Sequence, residues 1–353
     1  MSRILVLFDA TWADGSGGTA RYATALAAAL ANEPGVDVIA VRALRLRSGH
    51  RLVRLAVNGV VHLMWTQIVL PILAWLRRAD IVQTSMTAPV VCPRPVVLTL
   101  HDALDFIPDL RPSRVWSAYM RTFGALAARR ATAVLTGTQA SAAEITDWYR
   151  LNPARVRVTR YGVELVEDAT SRCASINAIE RQDQPYVLLV GQADRRKDIG
   201  TGLRAVQIAR GSGIDIWAVV VGTVPDEYRA AWWVHVCSGV DDAELARLYA
   251  GALAVVVPSR HEGFGLPVVE ALAYGTPVVA SDLPALREVG GDATRYAPAG
   301  DASAFAGELI ALAADPLAGR ELVTTYAGQH VTTWSETARA TIAIYRELLD
   351  RGS

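Results

Sequence analysis

Residues 258–282 read PSRHEGFGLPVVEALAYGTPVVASD, and the rest of the chain is organised around them. Ahead of them, residues 252–257 are an unbroken apolar run of strand length, as expected of a strand buried on both faces. A glycine-interrupted loop over 259–267 carries Glu262. A helical pattern follows, with Glu270 eight residues after Glu262, and stops at Gly275 and Pro277. Residues 277–280 have the character of the next parallel strand. Strand, glycine loop and helix N-terminus form a corner in which backbone N–H groups and the helix dipole favour an anion. Two carboxylates flanking that corner suit the hydroxyl groups of a polar ligand. The residues therefore predict a site for a phosphorylated, hydroxyl-rich molecule such as a nucleotide sugar.

Two further corners of this kind precede it. Residues 3–8 form a short apolar strand ending at Asp9, followed by DGSGGTARY (14–22) and an alanine-rich helical stretch to about residue 32. Gly17 and Gly18 allow close backbone approach to a ligand. Their spacing is not the Gly-x-Gly-x-x-Gly of dinucleotide sites, and a plain turn explains it equally well. Residues 186–190 (YVLLV) run into GQADRRKDI and a helix from about Ile199. Apolar runs at 36–41, 79–83, 95–100, 133–136, 156–159, 217–221, 234–237 and 293–296 fit an α/β protein built of parallel sheets. At 353 residues the chain exceeds one ordinary core. Two domains are expected, 1–165 and 185–333, joined by a polar linker at 166–184 and followed by a helix over 334–353.

The formal net charge is zero, but residues 1–165 hold 19 Arg and 11 acidic residues, while the remainder holds 16 basic and 24 acidic residues. The basic half admits two readings, a solvated arginine surface or a face for an anionic partner. Residues 55–76 contain no Asp, Glu, Lys or Arg and are long enough to cross a bilayer. Asn58, His62, Thr66, Gln67 and Pro71 interrupt the run, Gly59 and Pro71 predict helix breaks, and the segment fills a crossover between two strands. A transmembrane span is therefore not expected. Contact with a membrane surface through Trp65, Trp75 and the flanking arginines stays open. His62 is read as a core residue rather than a ligand. The start, MSRILVLFDA, reads as a strand rather than a signal peptide, and the three scattered cysteines suit a reducing compartment, so a cytoplasmic protein is expected.

Lys197 is the only lysine, against 34 arginines. A compact ammonium on a flexible stem, in a glycine-bearing loop ahead of a helix, suits a phosphate; an incidental surface lysine is the alternative. His101 and Asp102 directly follow the run 95–100 and so fall at the carboxyl edge of the strands, where open α/β sheets bind ligands.

Taken together, these stretches carry a resemblance. PSRHEGFGLPVVEALAYGTPVVASD resembles the donor-binding signature of the family-4 retaining glycosyltransferases of the GT-B fold, with Glu262 and Glu270 in its Glu-x7-Glu motif. VGQADRRKDI, GVDDAELARLYAGA, LREVGGDA and TWSETARATIAIY are similar to the same family in order, as are SGGTARY, LTLHDALDFIP and TRYGVE on the acceptor side. The nearest subgroup is the cell-surface polysaccharide type, rich in mannosyltransferases. The resemblance implies two Rossmann-like parallel-sheet domains facing across a cleft, with the C-terminal helix packing back on the first.

By the same resemblance, Lys197 binds the donor diphosphate, Glu270 the ribose hydroxyls, and Glu262 faces the transferred sugar. Gly263, Phe264, Gly265 and Leu266 offer backbone N–H groups, His101 lies near the reacting sugar and acceptor, and Gly17 and Gly18 close over the diphosphate. Gln192 stands where many members have an arginine, which leaves Arg195 or Arg196 to supply that cation. The implied activity is retaining transfer of a hexose from a nucleotide-diphosphate sugar, with GDP-mannose favoured and UDP-glucose or dTDP-rhamnose as other donors. The implied acceptor is a glycan or a lipid-linked saccharide. The chain has no Asp-x-Asp, so neither a metal nor another cofactor is expected, and nucleic acid is not an expected partner. A nucleotide-sugar epimerase on the same fold and a non-catalytic sugar-nucleotide-binding subunit are the competing readings.

Overall fold

The computed structural model describes residues 3–13, 15, 17–44, 48, 50–111, 113–166, 185–317, 319–321, 323, 326 and 331–351. The linker expected at 166–184 lies, apart from Val166, outside the described residues. The chain divides into two compact units, Met1–Gly162 with Thr332–Ser353, and Val163–Val331.

The first unit holds a six-stranded sheet of β1 (Ile4–Asp9), β2 (Val36–Val41), β3 (Ile81–Ser85), β4 (Val96–Thr99), β5 (Ala133–Thr136) and β6 (Val156–Val158). Its order is β2-β1-β3-β4-β5-β6 and every pairing is parallel. The winding reverses between β1 and β3, which opens a crevice at their carboxyl ends. Helix α1 (Gly18–Asn32) follows β1. The crossover from β2 to β3 is a helix in three parts, α2 (Arg51–Met64), a π-helical turn (Trp65–Val69) and α3 (Leu70–Leu76). The breaks expected at Gly59 and Pro71 do not occur. A glycine inside a helix costs only about 1 kcal/mol. The widened π turn ahead of Pro71 absorbs the missing N–H and the ring clash that would otherwise stop the helix. A second composite helix, α4 (Arg114–Tyr119), a π turn (Met120–Gly124) and α5 (Ala125–Arg130), leads to β5, and α6 (Gln139–Tyr149) leads toward β6. Leu7, Val82, Leu98 and Val134 of the sheet pack with Leu70, Ala74 and Ile145 in one apolar core.

The second unit repeats the architecture with β7 (Tyr186–Gly191), β8 (Trp217–Gly222), β9 (Val234–Cys237), β10 (Ala254–Val257), β11 (Val278–Ser281) and β12 (Thr294–Ala297). Here the order is β12-β11-β10-β7-β8-β9, again all parallel, and the winding reverses between β7 and β10. Its helices are α7 (Ile199–Gly211), α8 (Asp242–Gly251), α9 (Leu266–Ala273), α10 (Pro284–Gly290) and α11 (Ala302–Ala314). Val187, Leu189, Val220, Val256 and Val279 are buried against Ile199, Leu203 and Val206 of α7 and Phe305 and Leu309 of α11. Full burial of each such side chain contributes about 1.5–3 kcal/mol, which is why the strands read as continuous apolar runs.

The closing helix, α12 (Trp334–Asp350), belongs to the first unit. Tyr345 Oη donates to Gln83 Oε1 of β3 at 2.9 Å, and Thr337 Oγ1 donates to the Arg160 carbonyl at 2.7 Å. Gly162 lies so close to the start of α12 that a Cβ would fall 2.2 Å from the Trp334 backbone nitrogen. Its glycine is needed for that approach.

Candidate active site

In the second unit, the loops after β7 and β10 meet at the reversal of the winding. Their backbones are tied where Arg260 N donates to the Arg196 carbonyl at 2.8 Å, and their side chains where Arg260 Nε donates to Asp198 Oδ2 at 2.8 Å. The β7 loop is shaped locally. Lys197 N donates to Asp194 Oδ1 at 2.7 Å, and Ala193 N donates to Thr223 Oγ1 at 2.7 Å. Gly222, at the end of β8, has φ +139 and a Cβ there would lie 1.9 Å from the Gly191 carbonyl oxygen, so only glycine lets the two loops start this close.

Glu262 is the centre of this junction. Its carboxylate accepts from Lys197 Nζ at 2.6 Å, from Ser259 Oγ at 2.7 Å and from Arg196 Nη1 at 3.3 Å. Burial pushes the carboxyl up, but the Lys197 and Arg196 charges, with the hydrogen bonds from Lys197 and Ser259, outweigh it and hold the group down at about 2. Glu262 is thus a carboxylate throughout the neutral range, able to accept hydrogen bonds and unable to deliver a proton. Glu270, one face further along on α9, is buried and accepts from Tyr249 Oη at 2.6 Å. Gly265 caps α9 with φ +94, and its missing side chain leaves room for Leu286, 2.4 Å from where a Cβ would sit. Gly263, Phe264 and Gly265 are buried and Leu266 opens the helix. One positive helix end and two cations therefore converge beside two carboxylates. The arrangement can hold a polyanion and, beside it, vicinal hydroxyls.

Gln192 donates no charge here; its Oε1 accepts from Thr223 Oγ1 at 3.1 Å. Of the two arginines that could replace the family's cation, Arg196 reaches Glu262, while Arg195 is exposed and in no ion pair among the described residues. The pattern of the sequence singled out Lys197, Glu262 and Glu270. It did not single out Ser259 or Tyr249, whose roles arise from contacts across loops and helices.

In the first unit, His101 follows β4. Its Nδ1 lies 2.8 Å from Tyr161 Oη, and its Nε2 is buried with no hydrogen-bond partner among the described residues. Burial lowers the imidazole to about 4 against the opposing pull of Asp102, so the ring is neutral at pH 7. Tyr22 stands edge-on to it, with ring centroids 5.0 Å apart, and meets Thr99 Oγ1 through its hydroxyl at 3.0 Å. Tyr161 and Tyr22 were not legible as site residues, since an aromatic at helical or strand spacing reads as core. Gly17, with φ +95, caps α1, and Gly18 is that helix's first residue. His62 is buried among the rings of Trp12, Trp116 and Tyr119, as a core histidine. Asp9, at the end of β1, accepts from Thr11 N at 3.1 Å and from Trp65 Nε1 at 3.2 Å.

The family model described as Glycosyltransferase Family 4 matches residues 16–167, and that described as Glycosyl transferases group 1 matches residues 184–315. An MMP alpha-(1->4)-mannosyltransferase from Mycolicibacterium hassiacum is 30% identical over 278 residues, which are 73% of this chain and 66% of the relative. The O-antigen chain mannosyltransferase B of Escherichia coli is 28% identical over 275 residues, 71% of this chain and 70% of the relative. The chain thus spans about two thirds of the length of these relatives. Among solved structures, a sucrose-phosphate synthase from Thermosynechococcus elongatus superposes with a TM-score of 0.75 at 20% identity, covering 99% of this chain and 100% of that one. Anabaena HepE in complex with UDP-glucose gives a TM-score of 0.68 at 16% identity, over 97% and 100%. Two consecutive family models over most of the chain, on two six-stranded parallel sheets, leave one assignment: the chain belongs to glycosyltransferase family 4 and has the GT-B fold.

Proposed function

We propose that the protein is a hexosyltransferase that moves a hexose from a nucleotide-diphosphate sugar to a glycan or lipid-linked saccharide, with GDP-mannose the favoured donor. The observation that carries this reading is the Lys197–Glu262–Arg196 cluster at the reversal of the second sheet, beside the N-terminus of α9. Loss of a nucleoside diphosphate builds negative charge on the leaving oxygens. Fixed cations and N–H dipoles that are already in place stabilise that charge without reorganising. Lys197 Nζ spends one of its three donors on Glu262 and keeps two for a phosphate. Glu262 and Glu270 act as acceptors for hydroxyl groups. Neither carboxylate is assigned a covalent or proton-transfer role, since the pair sits on one loop-helix unit rather than across a scissile bond.

In the first unit, neutral His101 supplies a polar contact for the acceptor. Retention of configuration follows on this reading from same-face attack, with the leaving phosphate taking the acceptor proton. The cationic work is done by side chains and helix end, so the transfer is proposed to run without a metal. Mannose is favoured because two relatives named above are mannosyltransferases. The proposed place of action is the cytoplasm.

The test is a thermal-shift screen with GDP-mannose, UDP-glucose and dTDP-rhamnose, followed by assay of nucleoside diphosphate release with saccharide acceptors. One donor should raise Tm and be consumed only with acceptor present, and Lys197→Ala should abolish both effects. Epimerised donor without acceptor-dependent release, or donor binding unchanged by Lys197→Ala, would overturn the reading.

A further inference from the structure

We infer that the composite helix 51–76 is a membrane-docking face, and that it seats the first unit on the interfacial zone of an anionic bilayer. This deepens the transferase reading by naming where its acceptor resides. The docking itself does not depend on that reading.

The helix has two unlike faces. Val60, Met64, Ile68, Ile72 and Trp75, spaced three or four residues apart, are 62%, 49%, 45%, 50% and 63% exposed, and Val57, Leu63, Val69 and Leu76 widen the stripe. On the other side, His62, Thr66, Leu70 and Ala74 are buried at intervals of four. A soluble monomer seldom leaves so long an apolar stripe in water. The stripe continues onto the neighbouring helix, whose Trp116 and Tyr119 pack on His62 and whose Val115, Phe123 and Leu126 are exposed.

The stripe does not mark a spanning segment. Leu70 and Ala74 belong to the core of the first unit, Trp65 Nε1 donates to Asp9 Oδ1, and Gln67 bonds both the Val90 N–H and the Ala88 carbonyl, at 2.9 and 3.1 Å. Crossing a bilayer would break all of these. The helix therefore lies on a surface rather than through it.

Charge selects the occupant. Arg77 and Arg78 are exposed at the end of the stripe and Arg114 and Arg121 on the adjacent helix, none of them in an ion pair among the described residues. A second copy docked on this face would bring like charges together, whereas anionic headgroups complement them. Trp75 suits the headgroup level, and aliphatic side chains between aromatic and arginine borders suit an interfacial helix.

Docking also places the ligand edge. The inner face of the same helix holds the carboxyl end of β1 through Trp65 to Asp9 and through His62 to Trp12, whose ring centroids are 5.7 Å apart. That end borders the crevice of the first sheet. Seating the stripe on a bilayer therefore brings the crevice to headgroup height. The acceptor class that fits is an amphiphile with its saccharide head at that edge and its tail in the membrane.

The experiment is cosedimentation of the full chain with vesicles of phosphatidylglycerol and phosphatidylcholine, and with phosphatidylcholine alone. Binding should be strong to the anionic vesicles and fall with salt. Arg77→Ser with Arg78→Ser should weaken it roughly thirty-fold, at ~1 kcal/mol per arginine near the surface. Ile68→Glu, Ile72→Glu and Trp75→Glu together should abolish it. Folding of the variants is checked by circular dichroism and by an unchanged thermal shift with GDP or UDP. That nucleotide shift, read without vesicles, tests the transferase reading separately. Absence of vesicle binding by the native chain, vesicle binding unaltered by the triple variant, or a dimer that the triple variant disperses would overturn the proposal.

Discussion

Replacing Glu262 by Gln isolates the energy stored in the cation cluster. The native carboxyl is held at about 2, against an ordinary 4.5. At 1.36 kcal/mol per pKa unit, that depression corresponds to roughly 3 kcal/mol of stability at neutral pH. The folded value is below the unfolded one, so the contribution is fully present above pH 4.5 and is lost as pH falls toward 2. By pH 3.5 about 1.4 kcal/mol of it should be gone, because the unfolded chain already takes up the proton there. Urea unfolding of the native protein and Glu262→Gln between pH 7 and 3 reads the difference, with the pH dependence of all other carboxylates cancelling. NMR titration of the Glu262 carboxyl reads its ionisation directly: at pH 3.5 it should be mostly ionised, where an ordinary glutamate is mostly protonated. Lys197→Met should move the titration upward, since it removes the ammonium at 2.6 Å and leaves Arg196 at 3.3 Å as the remaining cation beside the Ser259 hydroxyl at 2.7 Å. A Glu262 that titrates near 4.5, or that is indifferent to Lys197→Met, would refute the coupling and with it the view that this cation pair is preorganised.

Three further outcomes are expected. Tyr161→Phe removes the hydroxyl 2.8 Å from His101 Nδ1 and should lower turnover about tenfold, as for loss of a hydrogen bond of ~1.4 kcal/mol, while the thermal shift with nucleotide at the second unit stays unchanged. The histidine is depressed below its ordinary 6.5 to about 4, so it costs stability as pH falls from 6.5 toward 4; His101→Asn should flatten that part of the stability profile. Gly222→Ala should unfold the second unit, because its Cβ would fall 1.9 Å from the Gly191 carbonyl oxygen; limited proteolysis shows this against Gly211→Ala, where nothing lies within 4 Å and a slight gain, up to about 1 kcal/mol, is expected.

Much of this protein is legible from local pattern. Apolar runs such as 186–190 and 252–257 mark parallel strands because both faces of such a sheet are buried, and periodicity alone reports that. Gly265, Glu262, Glu270 and the lone Lys197 stand out because a tight corner, two carboxylates and one compact cation are local choices of residue type. The fine course of the helices was less accessible: Pro71 looked like a break, and only the i→i+5 hydrogen bonds of the preceding turn show how the helix passes it.

What only the tertiary structure decided are relations between segments far apart in the chain. Lys197 and Glu262 are 65 residues apart, and nothing local predicts that they meet at 2.6 Å; the order of the second sheet does, by setting β7 beside β10. The same holds for His101 and Tyr161, 60 residues apart, where β4 and the stretch after β6 bring two rings together. Composition could show that residues 55–76 are apolar but not which of them face water, since exposure depends on what packs against the opposite side. Residue type and spacing are written along the chain, whereas proton affinity and exposed surface belong to the neighbours that folding supplies.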